Sequence, residues 1–362
     1  MSQPAFALSP SEPLNPEVRV ERSGVPMALP TTMRAVVQSN YGAPTEVLSV
    51  AEVPVPSVGA GEVLVRVEAS SVNTPDWLFT SGTPWILRLM AGVRRPKAPV
   101  RGTDLAGVVV AVGPGADLAV GDRVFGSNYD EGLRRWGTFA EYAVVPAGQL
   151  APIPDGVSFE EAAAVVMSGL TAYKALVEVA KVREGVRVLI NGASGGIGVL
   201  ATQMAVKRGA VVTGVCSGRN VELVRGLGAA DVIDYTKEDF TQSGREWDVV
   251  LDNVLNHAPG QVARVVADGG IYIPNSVGQG SSALRGLPRM LSAWVLGKLG
   301  RLGVRAVTIS YERERMEELA GELSSGLEVP IERVYALEEV GEAVGHMMSL
   351  RARGKLVVGV GT

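Results

Sequence analysis

The sequence predicts an α/β protein of two parts, a β-rich antiparallel unit and a doubly wound parallel sheet inserted into it. Two observations carry that expectation. From Met33 to about residue 155, short β-rich runs are separated by Gly, Pro, Asn and Asp, the texture of a compact, barrel-like antiparallel domain. From Ser158 onward helices and strands alternate, which is the βαβ rhythm of a parallel sheet. At 362 residues the chain is long enough for both parts to have cores of their own.

Taken in order, residues 1–32 are rich in Pro and Ser, carry Glu12, Glu17 and Glu21, and lack the basic start and apolar centre of a secretory signal, so they read as a disordered tail. Strands are expected at Arg34-Ala-Val-Val-Gln, Val63-Leu-Val-Arg-Val, Leu105 to Val112, Arg123-Val-Phe and Phe139 to Val145, giving a first domain over 33–155. The alternating part, 156–305, begins with a helix from about Phe159 to Ala180. It continues through strands at Val186 to Ile190, Val211 to Cys216, Val232-Ile233, Val249 to Leu251 and Gly270 to Pro274, with helices after Gly195 and from Asn220 to Leu227. Residues 306–362 return to short strands around one helix between Tyr335 and Val360 and are expected to close back on the first domain.

The strand Val188 to Ile190 runs into Asn191-Gly-Ala-Ser-Gly-Gly-Ile-Gly and then into a helix whose apolar Ile197, Leu200, Ala201, Met204 and Ala205 repeat at helical spacing. A dinucleotide pyrophosphate needs that order. Gly192 lets the chain turn, Gly198 lets the helix pack closely on the strand, and the backbone at Ser194, Gly195, Gly196 and Ile197 presents N–H groups at the positive end of the helix dipole. Which nicotinamide cofactor it takes is read at the end of the second strand. An acid there binds both ribose hydroxyls of NAD, whereas Gly214-Val-Cys-Ser-Gly-Arg-Asn has none before Glu222. Ser217, Arg219 and Asn220 stand there instead, and Arg219 can hold a 2′-phosphate with two parallel hydrogen bonds, so the cofactor expected is NADPH. Tyr235 is placed at the adenine edge, a position an ordinary interfacial tyrosine would fill equally well.

Composition narrows the function further. A net charge of −4 with Lys and Arg spread along the chain gives no nucleic-acid footprint. The single cysteine rules out an internal disulfide framework and fits a reducing cytoplasm. No uninterrupted apolar run approaches the roughly eighteen residues of a membrane span, so a soluble protein is expected. A catalytic zinc needs three protein ligands, and Cys216, His257 and His346 are the only nitrogen or sulfur donors of the usual kind, so no metal is expected.

Several signatures in a fixed order carry a resemblance from about Met33 to Val360: Gly61-Glu-Val-Leu-Val-Arg-Val, Ser71-Val-Asn-Thr-Pro-Asp-Trp, Gly102-Thr-Asp-Leu-Ala-Gly-Val-Val, Val120-Gly-Asp-Arg-Val-Phe-Gly, Gly137-Thr-Phe-Ala-Glu-Tyr, Gly169-Leu-Thr-Ala-Tyr, the glycine turn, Leu227-Gly-Ala-Ala-Asp-Val-Ile-Asp-Tyr and Ala352-Arg-Gly-Lys-Leu-Val-Val. The chain resembles the medium-chain dehydrogenase/reductases, in particular their zinc-free quinone oxidoreductase-like branch. The resemblance implies a GroES-like β-rich catalytic domain, a Rossmann domain, an active site in the cleft between them, and a homodimer. Zinc-dependent relatives carry a cysteine near Asn73 and Gly-His-Glu where this chain has Gly102-Thr103-Asp104, so metal-assisted alcohol oxidation lacks its Lewis acid. The implied reaction is hydride transfer from NADPH to a C=C conjugated to a carbonyl, or to a quinone. An alcohol or carbonyl oxidoreductase, or an NADPH-binding protein with a mainly non-catalytic role, are the alternatives.

The resemblance places Asn73 near the nicotinamide or the substrate carbonyl. Asp76 is assigned to orienting a water or donor, though an Asp there also fits a helix cap. Thr171 is assigned to the nicotinamide from a Gly-Leu-Thr turn, Asn253 to the same ring after the fourth Rossmann strand, and Lys355 to cofactor or substrate from the other domain. His257 is nearby and fits a structural role. Relatives commonly read Val-Asn-Pro-x-Asp where this chain has Val72-Asn-Thr-Pro-Asp, and some enone reducers carry a polar or basic residue where Leu78 stands. Two apolar, basic stretches, Trp85 to Arg95 and Leu287 to Leu302, read either as a lid bordering the substrate mouth, its basic rim favouring a long or anionic substrate, or as a dimer-interface or core helix with snorkelling cations. In the second stretch Leu287, Met290, Leu291, Trp294, Val295 and Leu302 share one helical face and Arg285, Arg289, Lys298 and Arg301 flank it.

Overall fold

A computed structural model of the chain describes residues 29–129, 135–276, 287–298, 300 and 302–361, without the side chains of Met90, Leu287 and Met290. The expected tail therefore lies outside the described residues up to residue 28, as do Arg285 and Arg301. The first sheet is built from β3 (Glu62–Val72), β4 (Asp104–Val112), β5 (Arg123–Ser127), β6 (Tyr142–Pro146) and β7 (Leu150–Pro152), joined by β14 (Ile331–Ala336) and β15 (Lys355–Gly359). β1 (Thr32–Gln38) and β2 (Leu48–Pro54) pair antiparallel beside it. β3 is the organising strand. One edge of it pairs with β4, while the other is divided between β6 at Glu62 to Arg66 and β15 at Ala69 to Val72. The C-terminal strand thus returns to the first domain, and it places Lys355 beside the start of the helix Thr74–Ser81.

The second sheet is parallel, in the order β10-β9-β8-β11-β12-β13, made from β8 (Arg187–Asn191), β9 (Val211–Cys216), β10 (Asp231–Asp234), β11 (Trp247–Asp252), β12 (Val266–Pro274) and β13 (Gly303–Val304). The strand order reverses between β8 and β11, and the crevice at that point is where such sheets bind ligands. After β8 the chain turns at Gly192, whose φ of 78° suits glycine, and enters the helix Gly196–Lys207. A Cβ on Gly198 would lie 2.2 Å from the Gly192 carbonyl oxygen, so the helix meets the strand at a distance only glycine permits.

Between the sheets lies the helix Phe159–Tyr173, started by Ser158, whose hydroxyl accepts from the Glu161 N–H while the Glu161 carboxylate accepts from the Ser158 N–H. Its buried Ala162 to Val166 pack against β3, β4 and β5 on one side and the helix Gly196–Lys207 on the other. With its π-helical continuation to Val179 it is long and apolar enough to cross a membrane by composition, at a mean hydropathy of 1.4, but 67% of that stretch is buried inside the protein. The apolar segment reflects its place in the core.

Four expectations change. Phe139 is not in a strand with Val145: its backbone pairs with Val36 and Arg101, bridging toward β1, and β6 starts only at Tyr142. The helix expected at Asn220 to Leu227 opens as a 3₁₀ turn over Gly218–Asn220 and continues as Val221–Gly226. Gly169-Leu170-Thr171 is no turn, since it lies within Phe159–Tyr173. Neither stretch expected as a lid lines the cleft: Leu287–Lys298 packs through Ala293 onto the cluster of Trp247 and Val262 with Leu291, Trp294 and Val295 facing outward, and Trp85, Ile86, Leu89 and Val93 are exposed. Ala293 and Leu302, which the sequence pattern either omits or assigns to the opposite role, are the buried anchors, because the edge of the parallel sheet needed covering there.

Candidate active site

A cleft of about 470 Å³ opens between the domains. Its walls are Asp76 and Phe79 of the helix Thr74–Ser81, Val100, Arg101 and Thr103 from the segment before β4, Tyr129 after β5, Met167 of the core helix, and Val307, Ile309 and Tyr311 after β13. The Tyr129 and Tyr311 rings stack with centroids 5.0 Å apart. Burial pushes the Tyr311 hydroxyl well above the usual range, with the nearby Asp104, Tyr129 and Asp76 adding to the effect, so it stays protonated.

Behind that wall a polar network joins β3, β4, β15, the cap of the helix Thr74–Ser81 and the core helix. Lys355 Nζ donates to Asn73 Oδ1 at 2.7 Å and to Ser168 Oγ at 2.9 Å. Asn73 Nδ2 donates to Asp104 Oδ2 at 2.7 Å, which also accepts from the Ser71 hydroxyl at 3.2 Å and the Met167 N–H at 3.0 Å. Asp76 Oδ2 accepts the Asn73 N–H at 2.7 Å, so the helix cap and the site are one structure. Lys355, Asn73, Asp76 and Asp104 are all buried. Burial holds the Lys355 ammonium down at about 8, and the carboxylates of Asp104 and Asp76 pull against that. Burial likewise lifts the Asp104 carboxyl, and brings Asp76 to about 7 although its bond from the Asn73 backbone opposes the rise.

The hydrogen bonds show how two of the expected residues are held. Asn73 is 3% exposed and both ends of its amide are used, Oδ1 by Lys355 and Nδ2 toward Asp104, so it holds those two side chains together. The Thr171 hydroxyl donates to the Met167 carbonyl of its own helix at 2.7 Å. Asp76 caps the helix, as the second of its weighed roles has it, and also lines the cleft.

On the cofactor side the expected residues gather at the C-terminal ends of β8, β9 and β11. Gly195 caps the helix Gly196–Lys207, and a Cβ on Gly196 would lie 2.9 Å from Lys355 Cδ, which ties the glycine turn to the network. Ser194 Oγ accepts from Asn220 Nδ2 at 2.9 Å, and its carbonyl accepts from the Gly354 N–H. Ile197 is half-buried one turn in. Ser217 precedes the exposed Arg219, which gives one hydrogen bond to the Arg351 carbonyl at 2.8 Å. Tyr235 is 58% exposed and its N–H bonds the Cys216 carbonyl at the end of β9. Asn253 follows β11, its Oδ1 accepts from Asn275, and its Nδ2 is buried without a partner, a donor suited to an arriving amide or hydroxyl.

Sequence reasoning missed Arg101, Asp104, Ser168 and Tyr311 as site residues, and it missed an acid beside the turn Gly218–Asn220. Asp234, from the neighbouring β10, lies so close to Gly218 that a Cβ there would be 2.7 Å from its carboxylate. That carboxylate is engaged by the Thr236 N–H and hydroxyl. The remaining donors of the metal census are elsewhere: His257 packs edge-on against Phe240, His346 bonds the Tyr335 hydroxyl, and Cys216 is buried.

The comparisons with known proteins follow that geometry. Residues 59–155 match the family model described as alcohol dehydrogenase GroES-like domain, and 227–358 match zinc-binding dehydrogenase. The 2-methylene-furan-3-one reductase of Solanum lycopersicum is 31% identical over 342 residues, covering 92% of this chain and 80% of that protein. The chain belongs to the medium-chain dehydrogenase/reductase superfamily, in its quinone oxidoreductase-like branch. The quinone oxidoreductase structure from Coxiella burnetii superposes with a TM-score of 0.80 at 26% identity, over 91% of this chain and 99% of that one. A trans-enoyl reductase of Aspergillus terreus, pgmF, is 40% identical over 207 residues, and there this chain spans 56% of the relative's length and 55% of its own. The GroES-like and Rossmann-type architecture expected from the sequence is therefore the family's.

Proposed function

We propose that this chain is a zinc-independent, NADPH-dependent reductase that takes a conjugated C=C (an enone or alkenal) or a quinone as substrate. The observation that carries the reading is the Lys355 ammonium hydrogen-bonded to Asn73. By the resemblance, zinc-dependent members carry a cysteine near Asn73 and Gly-His-Glu at Gly102-Thr103-Asp104, and here Asn73 Nδ2 and Asp104 Oδ2 are 2.7 Å apart with a buried cation on the Asn73 Oδ1. A divalent ion added at that point would meet a like charge at short range in a low-dielectric setting, and an amide is a poor replacement for a thiolate.

The N–H groups of Ser194 to Ile197 fit a pyrophosphate, and Ser217 and Arg219 fit a 2′-phosphate, with Asp234 held off by Thr236. The unpartnered Asn253 Nδ2 fits the nicotinamide end. Bound NADPH supplies the hydride. The chain's own residues then have three tasks. The apolar faces of Phe79, Val100, Ile309 and Met167 exclude water and hold the conjugated system in place. Donors on the wall stabilise charge developing on the carbonyl oxygen. Hydride added at the β-carbon leaves an enolate, and Asp76, which lines the cleft and is brought to about 7, can give its proton to the α-carbon.

The names of the relatives, enone, enoyl and quinone reductases, support this reading. The family descriptions that mention alcohol and zinc favour the second reading, an alcohol or carbonyl oxidoreductase. A screen of NADPH oxidation with cyclic enones, alkenals, quinones and simple aldehydes separates them. Turnover with the conjugated compounds is expected, and turnover with simple aldehydes alone overturns the proposal. We also place the protein in the cytoplasm, on the free Cys216, and as a homodimer packed through the outward Leu291, Trp294 and Val295 beside the edge strand β13.

A further inference from the structure

The cleft contains a charge that no described residue balances with an ion pair. Arg101 lines it and is 9% exposed. Its Nη2 donates to the Ala98 carbonyl, its Nε is buried with no hydrogen-bond partner, and among the described residues no ion pair holds the guanidinium. The carboxylate among the cleft's lining residues whose charge acts on it is Asp76. That group spends Oδ2 on the Asn73 N–H, makes no ion pair with Arg101, and is half protonated near neutral pH because its burial lifts it to about 7. Tyr41, the other titratable group near Arg101, donates its hydroxyl to the Gly92 carbonyl. Arg135, also on the cleft wall, is already paired with Glu62.

A buried guanidinium is stable only when its charge and its fork of donors are met, and one backbone carbonyl leaves most of that demand open. The backbone cannot swing the residue away: the Arg101 carbonyl accepts from Phe139 N–H at 2.9 Å, and Gly102, next in the chain, has a φ of 95° with Thr138 and Phe139 packed against it. Among the described residues none supplies the missing partner, and the open space the guanidinium lines is the cleft. A carboxylate matches the fork with two parallel hydrogen bonds, and the apolar Phe79, Val100 and Ile309 leave the rest of the cleft for a carbon skeleton.

We propose that Arg101 is the carboxylate-binding residue of the cleft, and that the preferred substrates are conjugated carbonyl compounds bearing a carboxylate. The inference rests on the reductase reading for its chemistry, and on Arg101 alone for its charge preference. It gives the cleft a polarity: the acid end of the substrate sits at Arg101 and the reacting carbons lie toward the cofactor domain.

The test is a matched pair differing only in charge, 4-oxo-2-pentenoate and its methyl ester, used with the full-length chain and NADPH. The acid is expected to have a kcat/KM about ten-fold or more above the ester, the size of one charge-assisted contact. Arg101→Gln should remove that preference through KM while changing the ester by less than about three-fold, and Arg101→Lys should keep part of it. Equal use of acid and ester by the parent protein, or an equal loss on both in Arg101→Gln, overturns the proposal. If neither compound is reduced, the reductase reading fails separately, and binding decides the charge preference. Calorimetry with the saturated pair, 4-oxopentanoate and its methyl ester, on the NADP⁺-loaded chain is then expected to show acid binding about ten-fold tighter in the parent and not in Arg101→Gln. Equal binding of the two overturns it.

Discussion

Asp76 and Lys355 are charged residues whose burial brings both toward neutrality near physiological pH, at about 7 and about 8. Asp76 faces the cleft, so a rate that depends on its proton falls as pH rises through about 7. Initial rates of NADPH oxidation across that range should show the falling limb in the parent and lose it in Asp76→Asn, which preserves the cap on the Asn73 N–H less tightly but in the same geometry. Stability follows the same sign. The folded carboxyl binds its proton more tightly than the unfolded one, so stability is full below the unfolded value near 4 and is lost as pH rises to about 7. Denaturant midpoints of Asp76→Asn should lack that decline. Arg219 is exposed and gives one hydrogen bond to the Arg351 carbonyl, which leaves the rest of its fork for a phosphate. Arg219→Ala should weaken NADPH by about ten-fold and leave NADH nearly unchanged in fluorescence titrations, whereas equal losses would place the arginine outside the 2′-phosphate site. At this scale the sequence revealed the residue types and hid their partners. Asn73, Asp76 and Lys355 were legible as site residues, yet nothing in the chain order shows that Lys355 reaches a residue 282 positions away. Arg101 sits beside a recognisable motif, and its lack of a partner exists only in three dimensions.

Among the elements, the glycine turn and the strands of the parallel sheet were readable because each is local: an apolar run, a turn residue with positive φ, and a helix with regular spacing. Gly198 is the sharpest test of that element. A methyl there would lie 2.2 Å from the Gly192 carbonyl oxygen and 2.6 Å from Ala193 Cα, so the helix must back away from β8. Gly198→Ala should lower stability by about 2 kcal/mol and reduce cofactor affinity with it; an unchanged thermal midpoint and affinity would show that the turn is not under this constraint. The elements that failed did so for tertiary reasons. The Phe139 segment has strand composition, but Val36 and Arg101 take its backbone bonds before β6 can. In Leu287–Lys298 the apolar stripe points outward and small Ala293 points in, so periodicity identified the helix and misjudged its buried face. Gly-Leu-Thr, a turn by composition, is absorbed into a helix long enough to serve as the wall between two domains.

The whole molecule joins these parts through β15. It completes the first sheet against β3, its preceding Gly354 bonds Ser194 of the glycine turn, and its first residue, Lys355, enters the polar network. The cleft therefore depends on both domains being docked, and the two-part architecture was legible in the sequence while this joint was not. Because an ammonium stands where a metal would be bound, dialysis against a strong chelator should leave NADPH-dependent turnover unchanged; activity that is lost and then restored by zinc would contradict the proposal. The most direct test of the central claim follows the hydride itself. NADPH carrying deuterium at the transferable position of the nicotinamide, incubated with the chain and a conjugated ketone, should place deuterium on the β-carbon of a saturated ketone product. Deuterium on the carbinol carbon of an alcohol would contradict it and identify the chain as a carbonyl reductase.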